Sequence, residues 1–174
     1  TALAGTQGGY LPFFSPDDKW LGFIANRQLK KIELATGRVA VLLDGIDAWS
    51  AAWTESDQIA LLNHTGLVRL AANGGVPTRL KLNMEGSALS LVSSFLSAIP
   101  GSNVVLTTDI NWRVVAVSLD DGRVRYLTSG AATDSVPHDG SGITGVWPRY
   151  VAPGYLVFWR PGAITFAARF DAKT

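Results

Sequence analysis

The sequence predicts an all-β fold, and three observations support this prediction. The chain has 174 residues, of which 47% are hydrophobic and 17% charged, so it can bury one core of ordinary size. Six Trp, seven Phe, four Tyr and eighteen Gly against one Met favour short aromatic-rich strands and tight turns over a helical bundle. A unit of aromatic strand, polar turn and apolar strand also recurs along the chain. We therefore expect one domain over residues 1–174, built from antiparallel four-stranded meanders.

The first repeat shows this unit most clearly, in the stretch PFFSPDDKWLGFIA at residues 12–25. Pro16 presets the φ that the first turn position needs, and the polar residues beside it bond readily to their own backbone. The apolar runs on both sides should therefore pair as a hairpin. Alternating residues at 28–34, a turn and the apolar run 39–43 complete a meander over residues 10–45, the size of one propeller blade.

Three further repeats are predicted, at residues 50–82, 93–129 and 145–171. Turn-forming residues separate the expected strands within each repeat. The fourth repeat lacks its outermost strand and follows a polar stretch at residues 131–142, which is typical of an exposed loop. Together the repeats predict a β-propeller with about four blades present, that is, a short or partial ring.

Composition and charge exclude several classes of partner. The formal net charge is +1 and the basic residues are scattered, so we expect no nucleic acid partner. No apolar run approaches the roughly 20 residues of a membrane span, so no direct membrane insertion is expected. The chain has no cysteine, which rules out disulfides, thiolate metal sites and a cysteine nucleophile.

Two blocks of the sequence resemble a known family. Residues 12–23, PFFSPDDKWLGF, resemble the motif P-F-F-S-P-D-G-K-W-I-G-F, and residues 29–32, LKKI, resemble L-K-K-V. Residues 148–158, PRYVAPGYLVF, resemble P-R-Y-V-P-T-G-H-L-V-Y, with Tyr155 in place of His and, in the first block, Asp18 in place of Gly. These are motifs of the TolB-like, WD40-like propeller repeats (PD40 type) of bacterial eukaryotic-type serine/threonine protein kinases.

The resemblance covers residues 10–82 and 145–171 well and the middle repeat loosely. It implies an extracytoplasmic sensor or interaction module without catalysis of its own. No kinase glycine loop, H-R-D or D-F-G motif is present, so any kinase activity would belong to another polypeptide segment.

The residues that could support catalysis are better explained by turns. His64 and His138 are the only histidines, and neither has a second ligand at metal spacing. Asp17 and Asp18 fall in an expected turn, where aspartate is favoured for backbone reasons. Since no G-x-S-x-G motif is present either, we expect a protein that is not an enzyme, with no catalytic residue, metal or cofactor.

Aromatic and basic residues next to the innermost strands are the candidate binding residues. Trp49, Trp147 and Arg149 lie near the loops that open onto one end of a propeller channel, and such side chains make good anchors for a protein or peptide partner or a ligand. Trp53 and Tyr150 lie inside strands, where packing between blades is the better interpretation.

Two other functions stay open. A hydrolase or lactonase type of propeller enzyme would need a metal in the channel, for which the candidates are Asp47, Asp109, Asn111 and Asp139. A purely structural assembly unit is the other alternative.

A propeller normally closes its ring, whereas this chain supplies only about four blades. The N-terminal segment could lend a strand to the last blade, the arc could stay open, or two copies could complete a larger ring. The unpaired blade edge favours the last outcome, a homodimer.

Overall fold

The computed structural model describes residues 2–83, 95–109, 113–127, 147–160 and 164–171. The loop predicted at residues 131–142 lies outside these ranges. The strands within them are β1 (Tyr10–Phe14), β2 (Trp20–Ala25), β3 (Gln28–Glu33), β4 (Val39–Leu43), β5 (Ser50–Trp53), β6 (Gln58–Asn63), β7 (Gly66–Ala71), β8 (Thr78–Arg79), β9 (Ser97–Ala98), β10 (Val104–Thr108), β11 (Val114–Ser118), β12 (Val124–Tyr126), β13 (Arg149–Val151), β14 (Tyr155–Arg160) and β15 (Ile164–Arg169).

The strands form four antiparallel sheets in chain order. Sheet 1 is β1-β2-β3-β4, sheet 2 is β5-β6-β7-β8, sheet 3 is β9-β10-β11-β12, and sheet 4 is β13-β14-β15. The first strand of each sheet contacts the first strand of the next sheet. Meanders that meet through their first strands around a common axis are the blades of a propeller, so the structure confirms the predicted all-β propeller fold.

The turn between β1 and β2 forms for the reasons that its sequence suggests. The Ser15 hydroxyl donates a hydrogen bond of 2.7 Å to the Asp17 carboxylate, and the backbone N–H of Trp20 donates to the Ser15 oxygen at 2.9 Å. Asp18 has a φ of 56°, in the left-handed region that glycine adopts most readily. This conformation explains why Gly is usual in the motif that Asp18 departs from.

The Asp17 carboxylate makes the stability of this turn depend on pH. Hydrogen bonds from Ser15 and Lys19 lower the pKa of Asp17 from 3.8 to about 2. Because the folded pKa lies below the unfolded one, the contribution is present above pH 4 and is lost as the pH falls towards 2. We expect Asp17→Asn to flatten the pH dependence of the urea midpoint between pH 4 and 2. An unchanged pH profile would contradict this role of the carboxylate.

Three cores lie between successive sheets. Side chains alternate along each strand, so one side of a sheet packs forward against the next sheet and the other side packs back against the previous one. Trp53, 5% exposed, packs back from sheet 2 against Phe13 of sheet 1, with ring centroids 6.3 Å apart. Leu62 and Val105 belong to the core between sheets 2 and 3, and Leu106 and Leu156 belong to the core between sheets 3 and 4. Every internal interface therefore joins a forward face to a back face.

A basic side chain crosses two of these interfaces at equivalent positions. The Lys31 ammonium on β3 donates a hydrogen bond of 2.8 Å to the carbonyl of Ala72, which follows β7. The Arg69 guanidinium on β7 donates in the same way to the carbonyl of Leu119, which follows β11. Each cation thus ties the forward face of one sheet to the backbone of the next.

At each end of the row of sheets, one sheet face has no further sheet packed against it within the described residues. On the back of sheet 1, Phe23 and Ile32 are buried, whereas Phe14 is 58% and Val41 is 49% exposed. Residues 2–9 contribute to this burial, since a Cβ added to Gly9 would lie 3.1 Å from the Phe23 ring. The N-terminal residues therefore lie against sheet 1 as turns, and the idea that they lend a strand to the last blade is wrong for the described part of this segment.

Candidate functional site

Trp147 is the centre of an exposed aromatic cluster at the start of sheet 4. Its ring stacks on Trp159 of β14, with centroids 6.0 Å apart and an angle of 29°, and meets the edge of Phe95 at 5.0 Å. It nevertheless stays 42% exposed. Two neighbours hold this ring in place while solvent reaches the rest of it, which suits a preorganised contact surface.

Arg149 lies on the same side of sheet 4 as Trp159. In the β13–β14 ladder Arg149 pairs with Val157, while Tyr150 pairs with Leu156, which packs back against sheet 3. Strand alternation therefore directs the exposed Arg149 forward, away from sheet 3. Within the described residues its guanidinium has no ion pair.

We call this surface the forward face of sheet 4. Its aromatic, charged and exposed apolar members are Trp147, Arg149, Val151, Tyr155, Trp159 and Arg169, and Val157, Thr165 and Ala167 share the same strand parity. Val151 is 46% and Tyr155 37% exposed, so the face is largely apolar with two cations. In the propeller repeat this is the face that would pack against the next sheet.

A cleft lies on the opposite side of sheet 4, at the turn end of the strands. It lies between sheets 3 and 4 and has a volume of about 810 Å³. Tyr155 and Arg169 of the forward face line it together with Tyr150, whose ring meets Phe170 edge-on at 6.3 Å. A cleft of this size accommodates an extended side chain or a peptide segment.

Trp49 does not belong to the forward face of sheet 4. It precedes β5 in sheet 2, is 37% exposed and makes no ring contact with another aromatic residue in the described ranges. The next residue, Ser50, accepts a hydrogen bond of 2.5 Å from the backbone N–H of Leu96, which follows Phe95. Trp49 and Phe95 therefore begin neighbouring inner strands at the same end of the propeller.

The structure also identifies residues that the sequence reasoning did not select. Phe95 and Trp159 complete the cluster around Trp147. The signal for Phe95 was its position before β9, equivalent to that of Trp49 before β5. The signal for Trp159 was its spacing of four residues from Tyr155 in one strand, which places both side chains on the same face of the sheet. Trp53 and Tyr150 pack between sheets, in agreement with their interpretation.

The residues considered for a channel metal do not gather into a site within the described part of the chain. Asp109 is completely buried and accepts from Arg113 through Nε at 2.7 Å and the backbone N–H at 2.9 Å. Asp47 is exposed, while Asn111 and Asp139 lie outside the described residues. Among the described residues, no three His, Asp or Glu side chains lie close enough together to hold a metal ion.

The chain is a β-propeller protein in its fold, and comparison with known proteins places it among several propellers of different function. No protein-family model matches the sequence, and no curated protein matches it. Across the described ranges, no helix is long and apolar enough to cross a membrane.

Three solved structures illustrate the likeness. A protein described as TolB from Agrobacterium tumefaciens is 16% identical, with a TM-score of 0.58 over 72% of this chain and 51% of that one. An auxiliary nutrient binding protein from Bacteroides thetaiotaomicron is 13% identical, with a TM-score of 0.61 over 97% and 40%. A gluconolactonase from Xanthomonas campestris is 14% identical, with a TM-score of 0.61 over 94% and 58%. The chain thus spans about half the length of the TolB structure, and at these identities the likeness shows the fold alone.

Proposed function

We propose that the protein is a non-catalytic propeller module that binds a protein partner through the forward face of sheet 4. The observation that carries the proposal is Trp147, fixed between Trp159 and Phe95 yet 42% exposed. Trp, Tyr and Arg are the side chains that most often dominate binding energy at protein interfaces. Arg149 adds a cation without an ion pair in the described residues, which favours a partner with acidic or carbonyl oxygens opposite it.

The proposed binding role also has a proposed cellular location. The resemblance to kinase-linked propeller repeats favours a sensor or interaction role outside the cytoplasm. The nutrient binding neighbour supports a binding role of this kind, and the gluconolactonase neighbour supports the enzymatic alternative. Asp109 favours binding over a channel metal, because Arg113 already occupies its carboxylate. Bound divalent metal in the purified protein would instead support the hydrolase.

The partner that best fits the forward face is a second copy of this chain. Every internal interface joins a forward face to a back face, and among the described residues no further sheet packs on the forward face of sheet 4 or on the back of sheet 1. The back of sheet 1 exposes apolar side chains at Phe14, Val39 and Val41. Two copies joined head to tail twice, sheet 4 to sheet 1, form a closed ring with twofold symmetry.

Residues 2–9 compete with this association, because they cover part of the back of sheet 1. Gly9 lies over the Phe23 ring and Gly5 lies over Val39. A second copy must displace them before its own sheet 4 can pack there. Removal of this segment should therefore strengthen the dimer.

Trp147→Ala should weaken dimerisation about tenfold or more, since truncating an interface anchor typically costs more than 1 kcal/mol. Trp49→Ala is the matched control, because Trp49 begins an inner strand in the same way but lies outside the forward face of sheet 4. Deletion of residues 1–9 should tighten the dimer. Sedimentation equilibrium gives the dissociation constants of the wild type and the three variants, and equal effects of the two tryptophan variants would contradict the assignment.

A further inference from the structure

A second cavity lies between sheets 1 and 2, away from the forward face of sheet 4. Its volume is about 370 Å³. Eleven residues line it, and the five that determine its chemistry are Asp17, Trp20, Lys31, Trp53 and Asp57. We propose that this cavity binds a neutral, hydroxyl-bearing ligand of monosaccharide size.

The walls of the cavity are aromatic, and their positions are fixed. The Lys31 ammonium lies 4.4 Å from the centroid of the Trp20 ring and 5.8 Å from that of Trp53. The same ammonium donates to the carbonyl of Ala72 across the sheet interface. Trp53 donates its indole N–H to the Asp57 carboxylate at 3.2 Å. These contacts hold the two rings at fixed positions around a small polar space.

The polar groups that line the cavity still have bonding capacity. Lys31 uses one of its three N–H groups on Ala72, and Asp57 uses one oxygen on Trp53, so both can bind hydroxyl groups.

The charge balance favours a neutral ligand. The Asp17 carboxylate is paired with Lys19 at 3.0 Å and receives the Ser15 hydroxyl. This pairing leaves Asp57 and Lys31 as one anion and one cation facing the cavity. An anionic ligand would meet Asp57 and a cationic ligand would meet Lys31. A sugar or polyol hydroxyl both donates and accepts, so it satisfies both groups without a charge of its own.

Nuclear magnetic resonance of the indole N–H groups tests this proposal on the full chain. D-glucose, D-galactose and N-acetyl-D-glucosamine serve as probes, added up to high millimolar concentration. We expect at least one of them to shift the Trp20 and Trp53 signals saturably and to leave those of Trp147 and Trp159 unchanged. Trp20→Phe identifies the Trp20 signal. The absence of a saturable shift with all three sugars would overturn the proposal, as would shifts confined to Trp147 and Trp159.

Discussion

Replacing Gly122 with alanine is expected to lower the free energy of unfolding by about 3 kcal/mol or more. Gly122 has a φ of 73° in the turn between β11 and β12, where an L side chain is strained. A Cβ there would also meet the backbone carbonyl of Lys81 well inside van der Waals distance, with the carbonyl carbon 3.0 Å away. Because both of these Lys81 atoms belong to the backbone, they cannot move aside as a flexible side chain would. Sheets 2 and 3 would therefore have to separate.

The position matters because Gly122 lies where sheet 2 meets sheet 3. The N–H of Asn83 donates to the Gly122 carbonyl at 2.8 Å, and the Asn83 side chain donates to the carbonyl of Asp121 at 2.6 Å. A displaced turn would lose these bonds together. The variant should therefore loosen the interface between the sheets as well as the turn.

Gly37→Ala is the matched control for Gly122→Ala. Gly37 has nearly the same φ, 72°, but a Cβ there would meet nothing within 4 Å. Gly37→Ala should lower the free energy of unfolding by about 1 kcal/mol, which is the cost of placing an L side chain at this positive φ. Urea denaturation of both variants measures the difference. Similar losses at the two glycines would show that the sheet 2 to sheet 3 contact is not as close as described here.

Truncating Asp109 to alanine is expected to cost about 3 kcal/mol of stability, because it removes the completely buried partner of an ion pair whose other side chain, Arg113, is only 28% exposed. The Asp109 carboxylate is completely buried and bonds Arg113 at 2.6 Å through Nη2. The same guanidinium lies 3.9 Å from the centroid of the Tyr126 ring and donates to its hydroxyl at 2.9 Å. Loss of the carboxylate would leave this cation without its anion and remove the hydrogen bonds that Asp109 accepts from Arg113.

Two comparisons distinguish this explanation from a general effect of the substitution. Asp121→Ala removes an exposed carboxylate that pairs with Arg123, and its cost should be much smaller. The double variant Asp109→Leu with Arg113→Met should recover much of the loss, because neither buried charge then lacks a partner. Thermal unfolding followed by circular dichroism measures the stability of Asp109→Ala, Asp121→Ala and the double variant. A double variant as unstable as Asp109→Ala would show that the pair is not the source of the cost.

The sequence was sufficient to predict the sheets because turn chemistry is local. Pro16 and its polar neighbours specify the first hairpin, and the same plan in later repeats locates the other strands. The pairing of Asp109 with Arg113 was not foreseen. An aspartate near a channel suggests a metal ligand as readily as an ion pair, until the pairing of β10 with β11 that brings Arg113 against it is known.

The candidate binding surface was only partly predictable for a similar reason. Trp147 and Arg149 were selected from their position beside an inner strand, and both lie on the forward face of sheet 4. Trp49 was selected by the same rule but lies two sheets away. Position in a repeat gives the end of the propeller at which a residue lies. Which face of which sheet remains uncovered depends on how the sheets pack together.

The central claim is that the forward face of sheet 4 binds the back of sheet 1 in a second copy. Size-exclusion chromatography with light scattering, over a range of protein concentrations, tests it most directly. We expect the wild-type mass to rise to twice that of the monomer with concentration, and to do so at lower concentration after deletion of residues 1–9. A monomer mass at every concentration, for both proteins, would contradict the claim and leave the face to a partner of another kind.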